Sequence, residues 1–322
     1  MLNAVNLSNK IIWGGFIMRG LSESFMSDLK QGRLNRLLQI VQKDGTLCIE
    51  IRNNYINVYY RGGSILKVSE KAPGYSIKFD LNYCVKGNTL WPQPDFSNLQ
   101  TIDDYIDALP LLKREMDLWF IEKKKPEERE IQQLIIRENN MSKLANDTDY
   151  YIADIEYEKS ENGSRFDLIG IKWLSDSVSR KKPESLNIAI MELKFGDSAM
   201  TNSAGIVEHF QDMEKFISTG KLGDLILEAQ TQFNQKVELG LIRDTYKQIK
   251  IDTEIKPEFI ILCANHKPAS IVLVRELKNA KEKCNELFSK VDVRIAMANY
   301  LGYGLYARNM ISIDDFINMN DM

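Results

Sequence analysis

Histidine is nearly missing from this chain: among 322 residues only His209 and His266 occur. That excludes zinc hydrolases built on several imidazole ligands and leaves few groups for histidine-based acid–base chemistry. Cysteine is sparse as well. Cys48, Cys84, Cys263 and Cys284 are scattered and form no CxxC, so neither a disulfide framework nor a zinc ribbon is indicated. No Walker A sequence occurs. The short apolar run at residues 11–18 cannot span a membrane, and no small-residue cleavage site follows it. A cytoplasmic protein with no membrane partner is therefore expected. A net charge of −3 shows no overall excess of base, although 42 Lys and Arg leave room for a local basic face. Gly302-Tyr303-Gly304-Leu305-Tyr306-Ala307 matches GxGxxA, but without the strand–turn–helix setting of a dinucleotide site.

What is present reads as a globular chain of two domains or one large one, with 44% apolar and 27% charged residues. Leu29, Leu34, Leu37, Leu38 and Val41 recur at helical spacing and predict a helix over 25–43. Residues 46–51, 55–60, 64–70 and 75–84 are strand-like, separated by the turn signals Asn53-Asn54, Gly62-Gly63 and Ala72-Pro73-Gly74. Connections this short force antiparallel pairing, hence a β-meander. A helix over 102–122 and the run Lys123-Lys124-Lys125-Pro126 follow. The spacing then predicts a helix over 126–139 opening on acids, which suits the helix dipole. Strands at 150–158 and 165–173 follow, joined by a turn at Glu161-Asn162-Gly163. The third strand, 186–195, is apolar enough to be buried on both faces. Helices at 205–218 and 222–241, a strand at 258–265, a helix at 271–288 and a strand at 291–300 complete the chain. The expected division is an N-terminal helical and meander region, 1–122, and a second domain, 123–322.

The third strand carries the chemistry. It ends Met191-Glu192-Leu193-Lys194-Phe195, and strand alternation points Glu192 and Lys194 to one side. Two charges at the end of an apolar strand require compensation, because burying them unpaired costs several kcal/mol. The tripeptide Asp/Glu-x-Lys is weak by itself. It recurs at Asp28, Glu122, Glu254 and Glu276. Only the copy at Glu192 follows a buried strand and a hairpin that bears another acid, Asp167. Two carboxylates on adjacent strands, completed by water and a backbone carbonyl, make an oxygen-rich site suited to Mg²⁺.

This arrangement resembles the PD-(D/E)XK nuclease superfamily, over roughly residues 126–265. The resemblance implies a restriction-endonuclease-like αβββαβ core of the α+β class, with a mixed central sheet. It implies that Asp167 and Glu192 hold Mg²⁺, with Mn²⁺ able to substitute. It assigns the Leu193 carbonyl as a further ligand and Lys194 as the group that positions the attacking water. Glu127-Glu128-Arg129-Glu130-Ile131 resembles the helix start of archaeal Holliday-junction resolvases and points to Glu128 as an added acid, with Glu127 and Glu130 as alternatives. Two departures stand out. Phe166, not Pro, precedes Asp167. The helix after the motif lacks QxxxY, since Gln211 is followed at that spacing by Lys215.

His209 and Gln211, on that helix, are candidates for the surroundings of the site. Asp154 and Glu156 read as exposed hairpin residues. The implied activity is hydrolysis of phosphodiester bonds with nucleic acid, expected to be DNA, as partner. Homodimerisation would give the two sites that cutting two strands needs. In the meander, Tyr55, Tyr59 and Tyr60 interleave with Arg52, Arg61, Lys67 and Lys78, a pattern that fits either nucleic-acid stacking or a one-sided sheet.

Overall fold

The computed structural model describes residues 12–13, 16–84, 94–123, 127–159, 164–201, 204–264, 271–298, 305–307 and 310–320. The turn at Glu161-Asn162-Gly163, His266, and Tyr300, Gly302, Tyr303 and Gly304 lie outside the described residues. The chain separates into two compact units, residues 1–133 with 238–241 and residues 134–237 with 242–322.

The first unit opens with a two-stranded pair, β1 (Ile12–Trp13) and β2 (Phe16–Ile17), then α1 (Glu23–Gln31) and α2 (Asn35–Lys43). The single helix expected over 25–43 is two helices. Ser22 caps the first by accepting the Phe25 amide. Gly32 ends it, where a Cβ would lie 2.2 Å from the Asp28 carboxylate, so the chain closes there more tightly than a side chain allows. The meander is present as β3 (Leu47–Ile51), β4 (Tyr55–Tyr60), β5 (Gly63–Lys71) and β6 (Gly74–Lys78), antiparallel in that order. Its last strand is shorter than expected because the Asp80 side chain accepts the Asn82 amide and winds the chain into a 3₁₀ turn, Leu81–Tyr83. The helix expected over 102–122 is α3 (Ile102–Asp107) and α4 (Leu109–Lys123). Pro110 has no amide hydrogen to continue α3 but is tolerated in the first turn of α4. The core gathers Phe25, Leu29, Leu37, Val41, Ile49, Val58, Leu66, Leu112 and Met116, all essentially excluded from solvent.

Helix α5 (Glu127–Ile136) crosses from one unit to the other between Gln133 and Leu134. The second unit continues with a π-helical turn, Arg137–Met141. Then come β7 (Tyr150–Lys159), β8 (Ser164–Lys172) and β9 (Asn187–Phe195). After these follow α6 (Ile206–Ser218), α7 (Leu222–Glu238), β10 (Glu258–Ala264), α8 (Ile271–Lys283) and α9 (Leu287–Lys290). The unit ends with β11 (Asp292–Ala298), β12 (Ile311–Ser312) and α10 (Ile313–Asn320). One six-stranded sheet results, in the order β12-β11-β10-β9-β8-β7. β7, β8 and β9 pair antiparallel, while β9, β10 and β11 pair parallel. The parallel neighbours are those joined through helices, since only a long crossover can return the chain in the same direction. The protein is thus of the mixed α+β class expected, with helices and an antiparallel meander ahead of a mixed sheet.

Two polar devices fix this sheet. The buried Asn140 side chain donates to the Ile152 carbonyl and accepts the Ile152 amide, each at 2.8 Å, and so acts as a short extra strand against β7. The buried Glu258 carboxylate accepts from Tyr150 Oη at 2.7 Å and from Lys172 Nζ at 2.6 Å.

Candidate functional site at the end of the central strand

β9 is buried along its length apart from its end residues. Its even-numbered residues, Ile188 and Ile190, join the core beneath α6. The same face continues as Glu192 and Lys194, so the two charges lie on a face that the rest of the strand makes apolar. Both are buried, at 2% and 5% exposure. In the parallel ladder they lie beside Ile261 and Cys263 of β10, which carry no countercharge.

The compensation comes from two other elements. The β8–β9 ladder runs from Lys172↔Asn187 to Leu168↔Met191, and one further step in the same register brings Asp167 to Glu192. There the Asp167 carboxylate takes over from the strand: its Oδ2 accepts the Leu193 amide at 2.8 Å. The amide and carbonyl of one strand residue face the same neighbouring strand. The Leu193 carbonyl is therefore directed to the Asp167 side as well.

The other contribution is His209. Ile206, Phe210, Met213 and Phe216 seat α6 in the core, which fixes His209 over the end of β9. Lys194 Nζ lies 2.7 Å from His209 Nε2, and His209 Nδ1 lies 3.3 Å from Glu192 Oε2. Burial and then the Lys194 ammonium push the His209 pKa down to about 4, so the imidazole is neutral near pH 7. A neutral imidazole has one acceptor and one donor. An ammonium only donates, so Nε2 accepts from Lys194, and Nδ1 carries the ring hydrogen, with the Ala204 backbone as its hydrogen-bond partner and Glu192 Oε2 3.3 Å away. One ring thus spans the Glu-x-Lys pair.

Glu192 itself is held under tension. Burial, followed by the negative charge of Asp167, pushes its pKa well above the usual carboxylate range, and Lys194 opposes the shift. Its second oxygen, Oε1, is buried without a hydrogen-bond partner among the described residues. Two adjacent carboxylates, one with an unsatisfied buried oxygen, and a carbonyl aimed to the same side are a donor set that a hard divalent cation fits. Mg²⁺ binds through one or two carboxylates and keeps several waters. The protein side chains alone do not complete a cage: among the described residues no three His, Cys, Asp or Glu groups come together as a metal-binding cluster.

The second unit brings together Asp167, Glu192, Leu193, Lys194 and His209. Glu128 belongs to the first unit, half-buried on the opening turn of α5. Gln211 is exposed on α6, about 200° around the helix from His209. The expectation that Asp154 and Glu156 are exposed is corrected. Asp154 is fully buried, its Oδ1 accepting the Ile155 amide at 2.9 Å, and Glu156 is half-buried. Alternation failed to place them because β7 carries a register shift between Ile152 and Asp154. In the meander, several aromatic and basic residues are engaged internally. Tyr59 and Arg52 are buried and bonded to each other at 3.2 Å. Arg61 pairs with Asp117 and Glu130. Lys67 and Lys78 remain exposed, facing each other across β5 and β6.

No protein-family model, curated protein or solved structure matches the chain. Among the described residues no helix is long and apolar enough to cross a membrane.

Proposed function

We propose that this chain is a metal-dependent nuclease that hydrolyses phosphodiester bonds in DNA, with a site of PD-(D/E)XK type at the end of β9. One observation carries the reading. Glu192, buried with an unsatisfied oxygen beside the Asp167 carboxylate, lies two residues from a buried lysine on the same strand face.

Asp167, Glu192 and the Leu193 carbonyl would hold the cation, Mg²⁺ or Mn²⁺. Such an ion, when bound, stabilises the charge that develops on a phosphoryl group and lowers the pKa of a bound water. Lys194 orients the attacking water. His209 holds the Lys194 ammonium in place by accepting one of its three hydrogens, leaving the other two for water and the phosphate oxygen. Asp167 also fixes the strand end by capping the Leu193 amide, so that carboxylate and carbonyl are presented together.

The test is incubation of the full chain with supercoiled, linear and branched DNA in Mg²⁺ or Mn²⁺, beside Lys194→Ala. Metal-dependent cleavage that disappears in the variant supports the proposal. Retention of DNA with no cleavage by the wild type would instead assign a binding protein on the same fold, and neither binding nor cleavage would leave a structural ion pair.

A further inference from the structure

β7 contains a residue whose backbone lies where a side chain with a Cβ seldom goes. Glu156 has φ 47°, in the left-handed region, in the middle of a ten-residue strand. Such conformations persist only where the surroundings impose them, and they cluster at functional sites. The register shows what faces it. Ile155↔Leu168 and Tyr157↔Phe166 flank the position, so the residue opposite Glu156 across the hairpin is Asp167. One strand further, the same row reaches Glu192. The distortion therefore stands in line with the two carboxylates of the site, three acids in one row across β7, β8 and β9. The Glu156 side chain reaches Arg165, with Oε1 3.6 Å from Nη2.

We propose that Glu156 is a positioning residue for Asp167. Its left-handed backbone bends β7 at the one step that faces Asp167. This lets β8 turn there, so that Asp167 meets Leu193 with its carboxylate and not with a strand carbonyl. An ordinary β conformation at 156 would continue the hairpin flat through Asp167 and keep β8 paired with β9 beyond Leu168, where that ladder now ends. The inference rests on the reading that Asp167 serves the site, but its test does not depend on cleavage.

The test follows amide hydrogen exchange in the full chain without metal, comparing Leu193 with Ile190, whose amide faces the other neighbour, β10, within the regular ladder. Glu156→Val resists a positive φ. The Leu193 amide should then exchange at least about tenfold faster than in the wild type while Ile190 holds its protection. Glu156→Gly adopts the left-handed backbone freely, so Leu193 should stay as protected as in the wild type, and the melting temperature should rise. Unchanged Leu193 protection in Glu156→Val overturns the proposal. So does loss of that protection in Glu156→Gly, and that result stays decisive even where the valine variant fails to fold. If the wild type cuts no DNA but Leu193 responds as described, the nuclease reading falls and the positioning role stands.

Discussion

Glu192→Gln keeps the shape of the side chain and removes its charge, which makes it the sharpest probe of the buried strand end. The folded-state pKa of Glu192 is raised well above its ordinary value of 4.5, first by burial and then by Asp167. A raised pKa means that the folded protein keeps a proton the unfolded chain has released. The stabilisation from that proton is complete below about pH 4.5 and is lost as pH rises through the folded-state value. Each pH unit of that interval contributes about 1.4 kcal/mol. Glu192→Gln has no such slope, so it should gain on the wild type as pH rises. One unit alone corresponds to roughly 3–6 °C in melting temperature for a folding unit of this size. The cation provides the second half of the test. At a Mg²⁺ concentration about ten times its dissociation constant, binding to the folded state alone adds about 1.4 kcal/mol. That increment should appear in the wild type and vanish in the variant. Thermal melts between pH 5 and 8, in chelator and in MgCl₂ or MnCl₂, measure both effects. A variant less stable than the wild type throughout that range in chelator would refute the argument, because Glu192 would then be a satisfied partner and not a strained one. Equal metal response in the two proteins would refute the assignment of Glu192 as a ligand.

Two further outcomes are expected. His209 has a folded-state pKa of about 4 against 6.5, so the wild type should lose up to about 3 kcal/mol as pH falls through that window. His209→Asn should abolish this acid slope in urea titrations, read most cleanly on the Glu192→Gln background, where the opposing slope is gone; an unchanged slope would disprove it. Glu258→Ala strips both Lys172 and Tyr150 of their buried acceptor and should cost about 3 kcal/mol in urea unfolding, leaving the Mg²⁺ response intact. A loss below about 1 kcal/mol would show that water replaces the carboxylate there.

The parts of the fold legible in the sequence are those governed by local rules. Alternation and tight turns located the meander and the β7–β8 hairpin, and the unbroken apolar run located β9. Breaks set by single side chains were less visible. Gly32 divides α1 from α2 through the position of the Asp28 carboxylate, and Pro110 divides α3 from α4, although both sit inside convincing helical periodicity. In the candidate site, Asp167, Glu192 and Lys194 were readable because strand alternation and hairpin register decide which residues meet. His209 was readable only as a candidate, since helix periodicity gives its face but not the height of α6 over the sheet. That height is set by Phe210, Met213 and Phe216 in the core. Asp154 and Glu156 were misplaced for a related reason: a bulge and a left-handed residue suspend the alternation on which the assignment relied.

The position of the site follows from topology. β9 is the strand at which the sheet changes character, with an antiparallel neighbour on one side and a parallel neighbour on the other. Its carboxyl end therefore meets the early part of β8, which supplies Asp167, while β10 runs alongside and places the uncharged Ile261 and Cys263 beside Glu192 and Lys194. The chain leaving β9 must cross over the sheet to begin β10, and the helix that makes the crossing, α6, lays its first turn over the end it has just left. An acid from the antiparallel side, the strand's own Glu and Lys, and an imidazole from the crossover helix are thereby brought to one point by three short segments. In an open sheet the crevice beyond the carboxyl ends of such strands is where ligands bind. Removing the charges would leave the fold intact, because every element that delivers them is held by apolar contacts of its own. For that reason variants at Glu192, Lys194 and His209 should separate function from folding.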